Sequence, residues 1–165
     1  MKKIILYSFI FLFHIENTYA AGNEATLCRR NEETLFNCET AKKKIISLCE
    51  MKSEQASYLE YRYGNSEQLD FSYKAEANSP NKFFQGTSHG GQVSTSLIWF
   101  SNGPYTYTLF SPDWGLDGVA VLKDNKRLTK QNCSLKSSGE IGIKNRWIEE
   151  RSEDEAREIL LKLLY

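Results

Sequence analysis

"LFNCETAKKKIISLC", residues 35–49, holds two cysteines, a lysine triplet and apolar residues alternating with polar ones. Residues 35–39 and 44–49 are short β-compatible runs joined by the polar loop "TAKK", which predicts a hairpin. The lysine triplet 42–44 falls at its turn and at the edge of the next strand, where repeated charge keeps a strand edge from pairing with another chain. Structural zinc ligands come in pairs two to four residues apart, whereas Cys28, Cys38, Cys49 and Cys133 are separated by 10, 11 and 84 residues. Thioredoxin-like chemistry is excluded as well, because there is no C-x-x-C. The stretch therefore predicts one stapled corner of a small β-protein, with neither metal nor redox chemistry. Four cysteines in an oxidising compartment predict two disulfides. Three connectivities are open at this level.

The compartment is read from the start of the chain. Met1, Lys2 and Lys3 precede an apolar run at residues 4–13 and a polar stretch ending in Ala20, the three regions of a secretory signal. The run is shorter than the roughly 20 residues that span a bilayer. Cleavage after Ala20 is expected, with no lipid attached at Cys28, because "ATL" before it lacks the small residue that lipoprotein processing needs. A periplasmic or secreted protein follows. The 165-residue chain less its first 20 leaves 145, the size of one domain with a real core. Removing Lys2 and Lys3 from 21 basic residues and Glu16 from 21 acidic ones leaves 19 against 20. Without a basic excess, neither nucleic acid nor an anionic membrane is an expected partner.

Outward from the hairpin, "YLEYRYG" (residues 58–64) alternates as a half-buried strand does, and "LDFSY" (69–73) is another. "KAEANSPNK" reads as a loop, and "GTSHGGQ" (86–92) as the loosest segment of the chain. Residues 93–100 and 105–110 form a hairpin across "SNGP". Asn-Gly favours a two-residue turn, but Pro104 has no N–H to close it onto Ser101, so an open or longer loop is expected. Residues 119–122 and 127–133 pair through "KDNK". Six to eight short strands predict a mainly β protein, a small antiparallel barrel or sandwich. The tail departs from this pattern. Residues 152–165 place Ser152 and Glu155 in capping-box spacing, with Ala156, Ile159, Leu160, Leu163 and Leu164 on one face, and predict a C-terminal α-helix covering the strand around Trp99.

Enzyme chemistry finds little support. His89 is the only histidine after processing, and "GTSHGG" is neither the G-x-S-x-G elbow nor a phosphate loop. Asp113 and Asp117 flank Trp114 as a glycosidase acid pair might, yet Asp and Gly in "SPDWGLDG" are ordinary turn formers. No cofactor and no metal are expected. A small stapled β-scaffold with a donor-rich loop is suited to binding another protein.

"LFNC", "LIWFSNGPYTYTLFS" and "VLKDNKRLTKQNCSL" together resemble the layout of bacterial periplasmic inhibitors of C-type lysozymes, and the chain is similar to uncharacterised secreted proteins of Gram-negative bacteria with an F-x-C, K-K-x-I and L-C pattern. The resemblance implies a small antiparallel barrel closed by Cys38 with Cys133, which leaves Cys28 for Cys49. It also implies that residues 86–91 enter a hydrolase cleft, where Ser88 and His89 donate to the catalytic carboxylates and Gly90 keeps the backbone slim. The family's Ser-Gly-rich loop ending in Ala-x-Tyr is not reproduced, and Cys28, Cys49 and the C-terminal helix are foreign to it. The competing expectation is an envelope interaction protein, such as an immunity protein against a secreted toxin, working through the helix or another surface. Near-neutral charge gives neither partner electrostatic steering.

Overall fold

The computed structural model describes residues 25–54, 57–134, 137–139, 141–142 and 144–165, so the processing segment expected at residues 1–20 lies outside the described residues. The strands are β1 (Glu33–Glu39), β2 (Ile45–Lys52), β3 (Ser57–Gly64), β4 (Leu69–Glu76), β5 (Phe83–Gly90), β6 (Val93–Asn102), β7 (Tyr105–Pro112), β8 (Gly118–Lys123), β9 (Lys126–Asn132), β10 (Ser138–Gly139) and β11 (Ile148–Glu150), followed by the helix α1 (Glu153–Leu164). They form a five-stranded sheet in the order β10-β1-β2-β3-β4 and a six-stranded sheet in the order β11-β5-β6-β7-β8-β9. All neighbours are antiparallel except β11, which runs parallel to β5. The sheets do not close on one another, so of the two expected architectures the molecule is a sandwich.

Alternation along each strand sends one set of side chains between the sheets. Tyr61, Phe71 and Tyr73 from the first sheet meet Phe83, Phe100 and Tyr107 from the second, with Tyr73 stacked on Phe100 at a ring-centroid distance of 4.2 Å. The other face of the second sheet is covered by α1, where Leu97, Trp99, Phe110 and Leu122 receive Ala156 and Leu163. This is the placement that the helical pattern predicts, except that Leu164 is exposed. Ser152 caps the helix by accepting from the Glu155 N–H at 3.3 Å.

One turn and one strand correct the sequence reading, and a second turn falls where it was expected. Asn102 pairs with Tyr105 around Gly103 and Pro104, and Gly103 has φ of +58°. The turn is thus shifted one residue from Asn-Gly, and Pro104 occupies its second central position, where no N–H is required. The β8–β9 turn has positive φ at both Asp124 and Asn125, the type I′ pattern. Residues 86–90, expected in a loose loop, are the second half of β5. Their low β-propensity is overridden by pairing with β6 and by the helix above: a Cβ on Gly86 would lie 3.1 Å from that of Ala156.

Disulfides join Cys28 to Cys49 and Cys38 to Cys133, with Cα atoms 5.4 and 5.3 Å apart. The second links β1 to the end of β9 and so ties the two sheets together. In the chain-entropy model a closed loop of 95 residues stabilises by about 5 kcal/mol. The first holds a strap, residues 25–32, across the outer face of the five-stranded sheet. Beneath the strap Arg62 donates to both oxygens of Glu32 at 2.6 and 2.7 Å, to Glu60 at 2.5 Å and to the Leu27 carbonyl at 2.8 Å. Tyr58 donates to Glu32 as well, at 2.5 Å. The side chains of Glu32 and Arg62 are 0% and 4% exposed. Burial alone would raise the Glu32 carboxyl, but the hydrogen bonds from Arg62, Tyr58 and the Arg29 N–H outweigh it and hold the pKa at about 2.

A carboxyl held below its ordinary 4.5 stabilises the fold fully above that pH and loses the effect as pH falls toward 2. Glu32→Gln is expected to cost on the order of 3 kcal/mol at pH 7. The gap between parent and variant in urea unfolding should close as pH drops from about 4.5 to about 2. A gap that stays constant with pH would show that the buried pair is not what holds the strap.

Candidate functional site

The β5–β6 hairpin closes through Gly91 and Gln92, with φ of +63° at Gly91. Glycine at the first central position is what a type II′ turn requires. The pair that precedes it, His89 and Ser94, lies side by side, and His89 Nδ1 is 2.8 Å from Ser94 Oγ. Ser94 then binds the end of the next strand: its N–H donates to Asp113 Oδ2 at 3.0 Å, and its carbonyl accepts from the Asp113 N–H at 2.9 Å. On the other side the His89 N–H donates to Glu153 Oε1 at 3.3 Å, and Arg157 bridges Glu153 and the His89 carbonyl. A continuous hydrogen-bonded row thus runs Asp113–Ser94–His89–Glu153, joining three strands to the first turn of α1.

Asp113 opens the loop 113–117, whose course is set by Pro112 at the end of β7 and by Gly115 at φ of +109°. The loop exposes Trp114 to 79%, together with Leu116, while Val93 is exposed on the adjoining hairpin. A large aromatic so exposed is not part of the fold's core. Its chain neighbour Asp113 is an exposed carboxylate, and the hydrogen-bonded row joins Asp113 to Glu153, which with Asp154 and Glu155 forms the exposed acidic first turn of α1 at the same end of the sheet. The cations at this end are engaged, and so are two of the acids: Arg157 pairs with Glu153 at 2.9 Å, and Arg151 lies 4.3 Å over the Phe84 ring, 3.2 Å from Glu149 and 4.0 Å from Glu155. Toward the opposite end of the same sheet and helix lie Lys123, Lys126, Arg127 and Lys130, with Asp124 in the β8–β9 turn and Lys162 paired with Glu158 at 2.7 Å. A chain with balanced charge is therefore polarised, acidic around Trp114 and basic around β9.

The predicted site residues separate in this geometry. His89 and Gly90 are exposed at the hairpin tip, as a contact role needs. Ser88 is 2% exposed, on the face of β5 that carries Gly86 against α1. A serine sealed beneath a helix cannot donate to a partner's carboxylate, so its expected role is withdrawn. Asp113 and Asp117 do not form a carboxylate pair. Asp117 is buried, and its Oδ2 accepts from the Ser137 N–H at 2.9 Å and hydroxyl at 2.6 Å. Sequence reasoning took Trp114 only as part of a turn; the available signal was a bulky aromatic between turn-forming Asp and Gly, where no core position exists to receive it. Comparison with protein-family models, with curated proteins and with solved structures gives no match for this chain.

If Trp114 serves binding and Gly86 serves the fold, substitutions at the two separate cleanly. Trp114→Ala should leave unfolding free energy within about 0.5 kcal/mol of the parent. Gly86→Val, which forces a side chain against Ala156 and the Arg151 carbonyl, should lower it by about 1 to 3 kcal/mol. Equal losses in urea titrations would place Trp114 in the packed structure instead.

Proposed function

We propose that this chain is an exported binding protein whose acidic, tryptophan-bearing end docks on a cationic protein, with a lysozyme-type glycan hydrolase as the target class. The observation that carries the reading is Trp114, 79% exposed beside Asp113, at the end of the sheet to which the acidic first turn of α1 is hydrogen-bonded through Ser94 and His89. Exposed tryptophans are the strongest interface anchors, and clustered acids accelerate encounter with a basic surface. The narrow β5–β6 tip, with His89 and the Gly91–Gln92 turn, is the projection that suits a cleft. The two disulfides fit an oxidising compartment, and the charged, apolar and small-residue start of the chain supplies the route to it. A cationic secreted toxin offers similar surface chemistry, so an immunity role is the competing outcome.

Two measurements test the proposal. Intact-mass analysis of protein recovered from the periplasm or medium should give a chain beginning at Ala21; a retained segment 1–20 rules out this route of export. In a cell-wall turbidity assay against C-type, goose-type and invertebrate-type lysozymes, the parent should inhibit at least one. Trp114→Ala should weaken that inhibition about tenfold to a hundredfold, and Asp113→Lys with Asp154→Lys should weaken it further at low salt than at high salt. Inhibition of none of them removes the hydrolase target; inhibition unaffected by either variant removes this end as the surface.

A further inference from the structure

Each sheet of the sandwich has two edges, and the chain treats them differently. The segment after β9 returns as β10 to cover β1 and as β11 to cover β5. Among the described residues that leaves β4 and β9 as the open edges, β9 only as far as Asn132, since Cys133 just beyond it is bridged to Thr40. On β4 and beside it the charges are satisfied internally, Lys44 with Asp70 at 2.5 Å and Lys74 with Glu76 at 2.8 Å. β9 reads KRLTKQN and contains no acid. Among the described residues, Lys126, Arg127 and Lys130 have no carboxylate partner: Arg127 donates to the Leu163 carbonyl at 2.5 Å, and Lys130 sits over the Phe110 ring. Between them Leu128 occupies a bulge, opposite no residue of β8, and is 58% exposed.

We propose that the β9 edge accepts an extended, acidic segment of a partner protein as an added strand, with Leu128 as the apolar contact. Three features meet there. The main chain of an edge strand presents a row of N–H and C=O groups to solvent, which an extended peptide can satisfy. These cations, none of which has a carboxylate partner among the described residues, favour carboxylates along that peptide. The same cations exclude a second copy of β9 as occupant, because pairing two such edges would bring like charges together. The surface is separate from the Trp114 end and does not depend on the function proposed for it.

The test uses the full processed chain and a capped peptide of about eight alternating Glu and Val residues, followed by fluorescence anisotropy at low salt. Binding is expected, and Lys126→Glu with Lys130→Glu should weaken it at least about tenfold. Two further peptides carry N-methyl groups on alternate residues, one on each edge of the strand. Strand addition requires that one lose about tenfold in affinity while the other binds as the parent peptide does. Equal binding of both methylated peptides would reduce the site to charge alone and overturn the proposal. Failure of the unmethylated peptide to bind would overturn it as well, and attachment to anionic phosphatidylglycerol vesicles in that case would identify a lipid surface instead.

Discussion

The aromatic layer between the two sheets sets everything outside it. Tyr73 and Tyr107 lie on either side of Phe100 with near-parallel rings, and Phe83 meets Phe100 edge-on. Rings of this size allow few mutual arrangements, so they fix the offset of one sheet on the other. Fully burying a side chain such as Phe36, Phe83 or Phe100 contributes about 1.5 to 3 kcal/mol each. The disulfide between Cys38 and Cys133 holds the same offset at the periphery, beside the single bridge from Thr40 to Cys133. Because the sheets cannot slide, the hairpin tips and edge strands project as rigid features.

Rigidity explains how a chain with no net charge acquires two unlike ends. The first turn of the helix is tied to His89 through Glu153 and Arg157, and its last turn to β9 through Arg127. Its acids, Glu153, Asp154 and Glu155, stabilise the positive end of the helix dipole. The fold thereby brings those acids to the end of the sheet that carries Asp113 and Trp114 and leaves the β8–β9 cations at the other end. A partner of either charge finds a complementary surface on the same scaffold. Outside the sandwich, the Cys28–Cys49 strap buries Arg62 with Glu32 and Glu60; removing one member of such a group is costly even where the group as a whole contributes little.

Much of this architecture is written in local sequence. Alternation finds "YLEYRYG" and "LIWF", the capping-box spacing of Ser152 and Glu155 finds the helix, and the two disulfides expected of the four cysteines are present, Cys38 with Cys133 and Cys28 with Cys49. What local sequence does not carry is long-range cover. Gly86 and Ser88 lie in a segment rich in turn formers, and they form a strand where β6 pairs with them and α1, some 65 to 70 residues later, packs on them. Pro104 misleads for a related reason, since a one-residue shift of the turn turns a missing donor into a harmless one. The candidate site is less legible than the fold. Its acids come from the loop after β7 and from the start of α1, and only the hydrogen-bonded row through Ser94 and His89 brings them to one end.

The central claim is that the Trp114 end is the contact surface for a cationic partner. It is tested most directly by following backbone amide signals of the isotopically labelled protein in nuclear magnetic resonance titrations with a cationic C-type lysozyme. The account predicts shifts concentrated at Val93, Ser94, Asp113, Trp114, Leu116 and the first turn of α1, fading as salt is raised. Shifts centred instead on β9, on the strap, or on Leu161 and Tyr165 would contradict it.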